Sequence, residues 1–174
     1  MTSKKGLVTI ALHNGKKEYY PLVENFLKSM LQCVNYPKIE IMLIESAGNH
    51  EIRDWFKNID FNKNFVNFSG TESNIKKNSA VEILKTVKFY DFPDEYEWFQ
   101  CFTQSIQQAI NECKGEYFCF FAEDNQFTVK GDIISDYIKI MEKENNFKSF
   151  VHFFAQQKYK LFKENNHFEK IPTK

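Results

Sequence analysis

The chain predicts an α/β fold: three layers, with helices on both faces of a mainly parallel central sheet. Three observations carry this. Short apolar runs that read as buried strands alternate with segments whose apolar residues recur at helical spacing. Such alternation forces parallel pairing and covers both faces of the sheet. The third observation is composition: 43% of the 174 residues are hydrophobic and 19 are Phe, so the chain can bury a core and is too apolar to be disordered.

Residues 7–12 read as a buried strand, ended by the turn signal His13-Asn14-Gly15. Between residues 18 and 34, Leu22, Val23, Phe26, Leu27, Met30, Leu31 and Val34 fall on one helical face. Asn35-Tyr36-Pro37 stops that helix, because the residue before a proline avoids the helical region. Residues 39–44 form a second strand ending at Glu45-Ser46-Ala47-Gly48, and a short helix follows over 51–58. Residues 65–68 read as a third, weaker strand. Residues 70–94 show no clear period and are expected to be a long loop with at most a short helix. Residues 95–113 read as a helix with Phe99, Phe102, Ile106, Ala109, Ile110 and Cys113 on one face, and Gly115 as its C-terminal cap. Residues 117–121 are the most apolar run and read as a central strand. Asp132 caps a further helix carrying Ile133, Ile134, Tyr137, Ile138 and Met141, and residues 149–154 read as a last strand. One domain thus spans 1–154; residues 155–174 are a polar C-terminal tail, with truncation there an open alternative.

Charge and cysteine usage exclude several classes. The 23 basic and 23 acidic residues balance, so there is no basic field to draw nucleic acid and no polybasic block for a membrane surface. No apolar stretch approaches the ~20 residues that a bilayer span needs. The opening Met1-Thr2-Ser3-Lys4-Lys5 runs straight into a strand and does not read as a signal peptide. Cys33, Cys101, Cys113 and Cys119 form no CxxC and read as reduced core thiols rather than disulfides or a zinc site. A soluble, cytoplasmic domain is expected.

In parallel sheets, ligands bind outside the carboxyl ends of the strands, where the strand order reverses. Candidate site residues therefore follow positions 12, 44 and 121. Glu123-Asp124-Asn125, directly after the most apolar strand, offers oxygen ligands suited to Mg²⁺ or Mn²⁺ and through it to a diphosphate. As a tripeptide alone it would be an exposed acidic turn. Glu45 and Ser46 hold the equivalent place after the second strand, where an acid can accept hydrogen bonds from a ribose or base; the alternative is a solvated loop acid. His13 and Asn14 could face the same ligand, although a lone His in a turn is ordinarily polar surface. There is no P-loop, GxGxxG or GxSxG motif. Asp54, Asp60, Asp91 and Asp94 read as surface acids, and His152 and His167 as structural.

Several of these pieces occur in a family's order. Gln107-Gln108-Ala109-Ile110, then Lys114-Gly115-Glu116-Tyr117, an apolar strand and Glu123-Asp124-Asn125 resemble the central signature of family 2 glycosyltransferases. The opening strand to Asn14, the helix with Leu27-Lys28-Ser29-Met30-Leu31, and Ile39-Glu40-Ile41 running to Glu45-Ser46 extend the resemblance over residues 6–154. The resemblance implies a GT-A fold that binds a nucleoside-diphosphate sugar. It implies Asp124, with Glu123, as the metal-binding acids, Glu45 as the nucleoside contact, and Asn14 beside the nucleotide. His13, Ser46, Gln107 and Glu123 complete the implied nucleotide-binding set. The chain departs from the family where Ala122 stands for the first DxD acid, Gln107 for an Asn and Ile106 for an Arg; these departures bear on metal and diphosphate contacts.

The function so implied is transfer of a sugar from a nucleoside-diphosphate donor, UDP being favoured, to a glycan or lipid acceptor. Mn²⁺ or Mg²⁺ would assist as Lewis acid, with inversion of configuration. No residue is nominated as the catalytic base. Because the recognisable elements end near residue 154, the chain is expected to bind donor without transferring it efficiently. The alternative is a glycosyltransferase-like binding or regulatory module without activity. A receiver-type signalling domain ranks lower, since it needs acids where His13-Asn14 and Ser69-Gly70 stand.

Overall fold

The computed structural model describes residues 4–46, 48, 50–75, 81–90, 92, 97–128 and 130–143. In chain order the elements are β1 (Lys4–Asn14), α1 (Tyr20–Cys33), β2 (Lys38–Glu45), α2 (His50–Asn58), β3 (Phe65–Val66), β4 (Glu72–Ser73), β5 (Glu82–Phe89), α3 (Trp98–Glu112), β6 (Gly115–Ala122) and α4 (Ile133–Lys143). The chain clusters into one unit over residues 1–138 and a second over 139–174, of which only the end of α4 is described.

Four strands form one parallel sheet in the order β5-β2-β1-β6. Alternate residues of β1 face opposite layers. Val8, Ile10 and Leu12 join Val23, Phe26, Leu27 and Met30 of α1, Ile52 and Phe56 of α2, and Ile134 of α4. On the other face Ala11 packs with Met42, Ile44 and Ala109 of α3. The expected three-layer α/β architecture is therefore present, and β1 lies at its centre with Val8, Ile10, Ala11 and Leu12 fully buried.

Several expectations need correction. Residues 82–89, expected as loop, form the edge strand β5 paired with β2 from Lys38↔Glu82 to Glu45↔Phe89. Lys85 breaks its apolar pattern by turning toward the core layer. Its ammonium donates to the carbonyls of Phe56 at 3.5 Å, Lys57 at 2.7 Å and Ile59, so it caps the end of α2. The weak third strand is only Phe65–Val66, and it pairs antiparallel with Glu72–Ser73 outside the main sheet. Residues 117–121 were expected in a central strand; among the described residues β6 ends the strand order. His13 and Asn14 are the last residues of β1 rather than a turn. On α3, Phe99 and Ile110 are exposed, at 66% and 45%, while Ser105 and Ala109 are fully buried, so the sheet-facing stripe is rotated from the one the apolar residues suggest. The helix ends at Glu112 with Cys113 as its cap, and Gly115 is the first residue of β6. The strand expected at 149–154, the tail 155–174, and Asp91, Asp94, His152 and His167 lie outside the described residues. Asp132 does cap α4: its Oδ1 accepts from the Ser135 amide at 3.2 Å.

A buried carboxylate ties the strands together at the end of the sheet away from the candidate site. Glu40 of β2 is fully buried. It accepts from the Thr9 hydroxyl of β1 at 2.6 Å, from the Thr86 hydroxyl of β5, and from the Lys114 amide before β6 at 2.9 Å. Such a group is tolerable only because donors surround it. Thr9 Oγ1 in turn accepts from the Gly115 amide at 2.9 Å. A Cβ on Gly115 would stand 2.6 Å from Thr9 N and Thr9 Oγ1 and 2.8 Å from the Tyr117 carbonyl, two of them backbone atoms. Gly115→Ala is therefore expected to cost about 1–3 kcal/mol by overpacking, measured by urea unfolding. Unchanged stability would show that β1 and β6 can part there without loss.

Candidate functional site

In the order β5-β2-β1-β6 the chain steps from β1 outward through β2 to β5, then returns to the other side of β1 with β6. The reversal lies between β1 and β6, and the crevice outside their carboxyl ends is where such sheets take ligands. Register fixes what meets there. Asn14 pairs with Glu45 across β1 and β2, and His13 pairs with Ala122 across β1 and β6.

Asn14 and Glu45 are both fully buried. Asn14 Nδ2 donates to Glu45 Oε1 at 2.9 Å, which fixes the amide's orientation. Among the described residues Asn14 Oδ1 is then left buried with no hydrogen-bond partner. An orphaned buried acceptor of this kind costs about 1–3 kcal/mol. Glu45 is thus not the solvated loop acid that its sequence position allowed.

His13 turns to the other face of the sheet and is only 2% exposed, so it is not polar surface. Its ring meets Phe102 of α3 edge-on at 5.3 Å between centroids, with Phe120 at 6.3 Å. Its Nε2 lies 2.8 Å from Ser46 Oγ, and the Ser46 amide donates to the Asn14 carbonyl at 3.2 Å. Burial lowers the His13 pKa to about 4, so the ring is neutral at neutral pH.

After β6 the chain makes a tight turn. The Asn125 amide donates to the Ala122 carbonyl at 3.1 Å, while Asn125 Oδ1 accepts from the Ala122 amide at 3.0 Å. This double closure holds Glu123 and Asp124 at the tip of the turn. Asp124 is exposed and Glu123 half-buried. The Glu123 pKa is raised, chiefly by desolvation and further by the charge of Asp124, against the lowering influence of its own amide, the Gly15 amide and Lys16.

The structure therefore brings His13, Asn14, Glu45, Ser46, Glu123 and Asp124 to one edge of the sheet. Gln107 stands apart: it is exposed on α3 and its amide reaches Asn111 Oδ1 at 3.5 Å. Among the described residues no group of three or more His, Cys, Asp or Glu side chains is placed to hold a metal ion. Two adjacent carboxylates on a turn suit a Mg²⁺ that keeps its waters and takes further oxygens from a phosphate, not an all-protein cage. Sequence reasoning did not single out Lys16, two residues past β1, or Tyr90, directly after β5, whose buried hydroxyl has no partner among the described residues. A cation just beyond the end of the first strand was the available signal for Lys16; nothing marked Tyr90, because β5 itself went unread. The four cysteines are half-buried and no disulfide joins them, and no described helix is long and apolar enough to cross a membrane. Comparison with models of protein families, with curated proteins and with solved structures returned no match.

The buried imidazole makes stability depend on pH. Its folded pKa of about 4 lies below the ordinary 6.5, so as pH falls from 6.5 toward 4 the unfolded chain takes up a proton that the folded one refuses. The His13 contribution is full above pH 6.5 and declines through that window by up to about 3 kcal/mol. Unfolding free energies of the wild type and His13→Gln between pH 7 and 4 check this: their difference should change across the window, and a constant difference contradicts it.

Proposed function

We propose that the crevice between the ends of β1 and β6 binds a nucleoside-diphosphate sugar, as the donor site of a metal-assisted glycosyltransferase. The observation that carries this reading is the fully buried Asn14 Oδ1 at the point where the strand order reverses. An acceptor with no donor among the described residues suits an N–H or O–H of a nucleoside. Glu45 accepts from the Asn14 side-chain amide, and the Ser46 amide donates to the Asn14 main-chain carbonyl, so the side chain is held in place at the sheet edge. Phe102 and Phe120 pack around His13 and exclude water from one side. Glu123 and Asp124, at the tip of their turn, would hold Mn²⁺ or Mg²⁺; when bound, the ion supplies Lewis-acid neutralisation of a leaving diphosphate. UDP is the favoured nucleotide. The acceptor, a glycan or lipid, and the base that would deprotonate its hydroxyl are not assigned to residues.

A second reading is a nucleotide-sugar-binding module that does not transfer. Ala122 favours it: the first acid of a DxD-type pair is missing there, and the Ala122 amide is already engaged by Asn125.

Calorimetric titration with UDP, UDP-sugars and other nucleoside diphosphates, each with Mn²⁺, tests the binding claim. Ligand at 100 times its Kd should stabilise the fold by about 2.7 kcal/mol. Asp124→Asn should weaken the metal-dependent part of binding and change stability by no more than about 0.5 kcal/mol, the side chain being exposed. No heat and no thermal shift with any nucleoside diphosphate would refute the site.

A further inference from the structure

The crevice contains a cation that the donor-site reading does not use. Lys16 follows Asn14 and Gly15 at the end of β1, and the His13↔Ala122 register sets this segment beside Glu123 and Asp124 at the end of β6. Lys16 is exposed and extended, with φ −143° and ψ 143°, and its Nζ lies 5.2 Å from the Tyr19 ring centroid. Tyr19 is the largest influence raising its pKa, and Glu18 and Glu123 raise it further. Glu123 in turn feels the Gly15 amide and Lys16. Two carboxylates at a strand end repel a diphosphate. Without a metal a cation must offset part of that repulsion, and Lys16 is the first cation after the end of β1.

We propose that Lys16 is the phosphate-binding cation of this crevice, and that Glu123, set beside it by the β1–β6 register, opposes an anion there unless a metal is bound. The inference rests on the reading of the crevice as a nucleotide-diphosphate site, and it names the residue that meets the phosphates. Asn14 Oδ1 meets the nucleoside and Lys16 the diphosphate, so the two ends of the ligand are recognised by neighbouring residues of one strand end.

The roles separate by probe and by sign. Uridine, UDP and inorganic pyrophosphate are titrated calorimetrically, with and without Mn²⁺, into wild type, Lys16→Gln, Lys16→Arg, Lys17→Gln and Glu123→Gln. Melting curves confirm that each variant is folded. Lys16→Gln should weaken UDP and pyrophosphate at least about tenfold, the loss of one charge-assisted contact. It should leave uridine unchanged; Lys16→Arg should retain binding, and Lys17→Gln should behave as wild type. Glu123→Gln should strengthen pyrophosphate binding without metal and weaken it with Mn²⁺, an inversion that a merely structural role does not produce. If UDP binds wild type and Lys16→Gln equally, the Lys16 assignment is overturned and the donor-site reading stands. If pyrophosphate binds through Lys16 while uridine adds nothing, the phosphate site stands and the nucleoside reading fails. If wild type binds none of the three, both fail.

Discussion

Everything at the candidate site follows from β1 being paired in parallel on both edges. Its neighbours β2 and β6 hold it in a register that leaves no choice about which strand ends meet: Asn14 lies beside Glu45, and His13 beside Ala122. A slip of one residue would carry Val8, Ile10 and Leu12 to the opposite face and expel His13 from its aromatic cage, because side chains alternate faces along a strand. Burial on both faces makes such a slip costly. The Glu40 carboxylate adds direction to that burial, since only one alignment brings the Thr9 and Thr86 hydroxyls and the Lys114 amide to its two oxygens. It is a buried acid whose value lies in specifying alignment more than in net stability.

The far end of the same strands is arranged differently. Near Glu40 the polar atoms described here find partners. At the carboxyl end of β1, Asn14 Oδ1 is buried without one among the described residues, and Glu123 keeps a raised pKa through desolvation. Unsatisfied groups are tolerated in a fold chiefly where something else completes them. The contrast between a satisfied network at one end of the sheet and an unsatisfied one at the other is the physical basis for reading the carboxyl edge as a ligand site.

Much of this was legible in the sequence. Apolar runs and helical periodicity located β1, α1, β2, α2, α3, β6 and α4, because each must bury a continuous stripe or face. The missed strand, β5, was hidden by Lys85 and Lys88 among its apolar residues. Lys85 reaches the carbonyls ending α2, and Lys88 pairs with Glu112; tertiary partners of this kind leave no local mark. The orientation of α3 was misread for a related reason: Ser105 is buried by bonding back to the Cys101 carbonyl at 2.7 Å, while Phe99 is left outside. At the candidate site, strand ends pointed to residues that the fold brings together, but not to the burial of His13, Asn14 and Glu45. That burial comes from neighbouring strands and from α3, and position along one chain does not encode it.

The central claim is that a nucleotide binds across the ends of β1 and β6. Amide NMR of the labelled chain titrated with UDP and Mg²⁺ tests it most directly, since it reports location as well as binding. The account predicts saturable shifts concentrated at residues 13–16, 45–46 and 122–125, with the Asn14 side-chain amide among the largest. Saturable shifts centred anywhere else, or a spectrum unmoved at millimolar UDP, would contradict it.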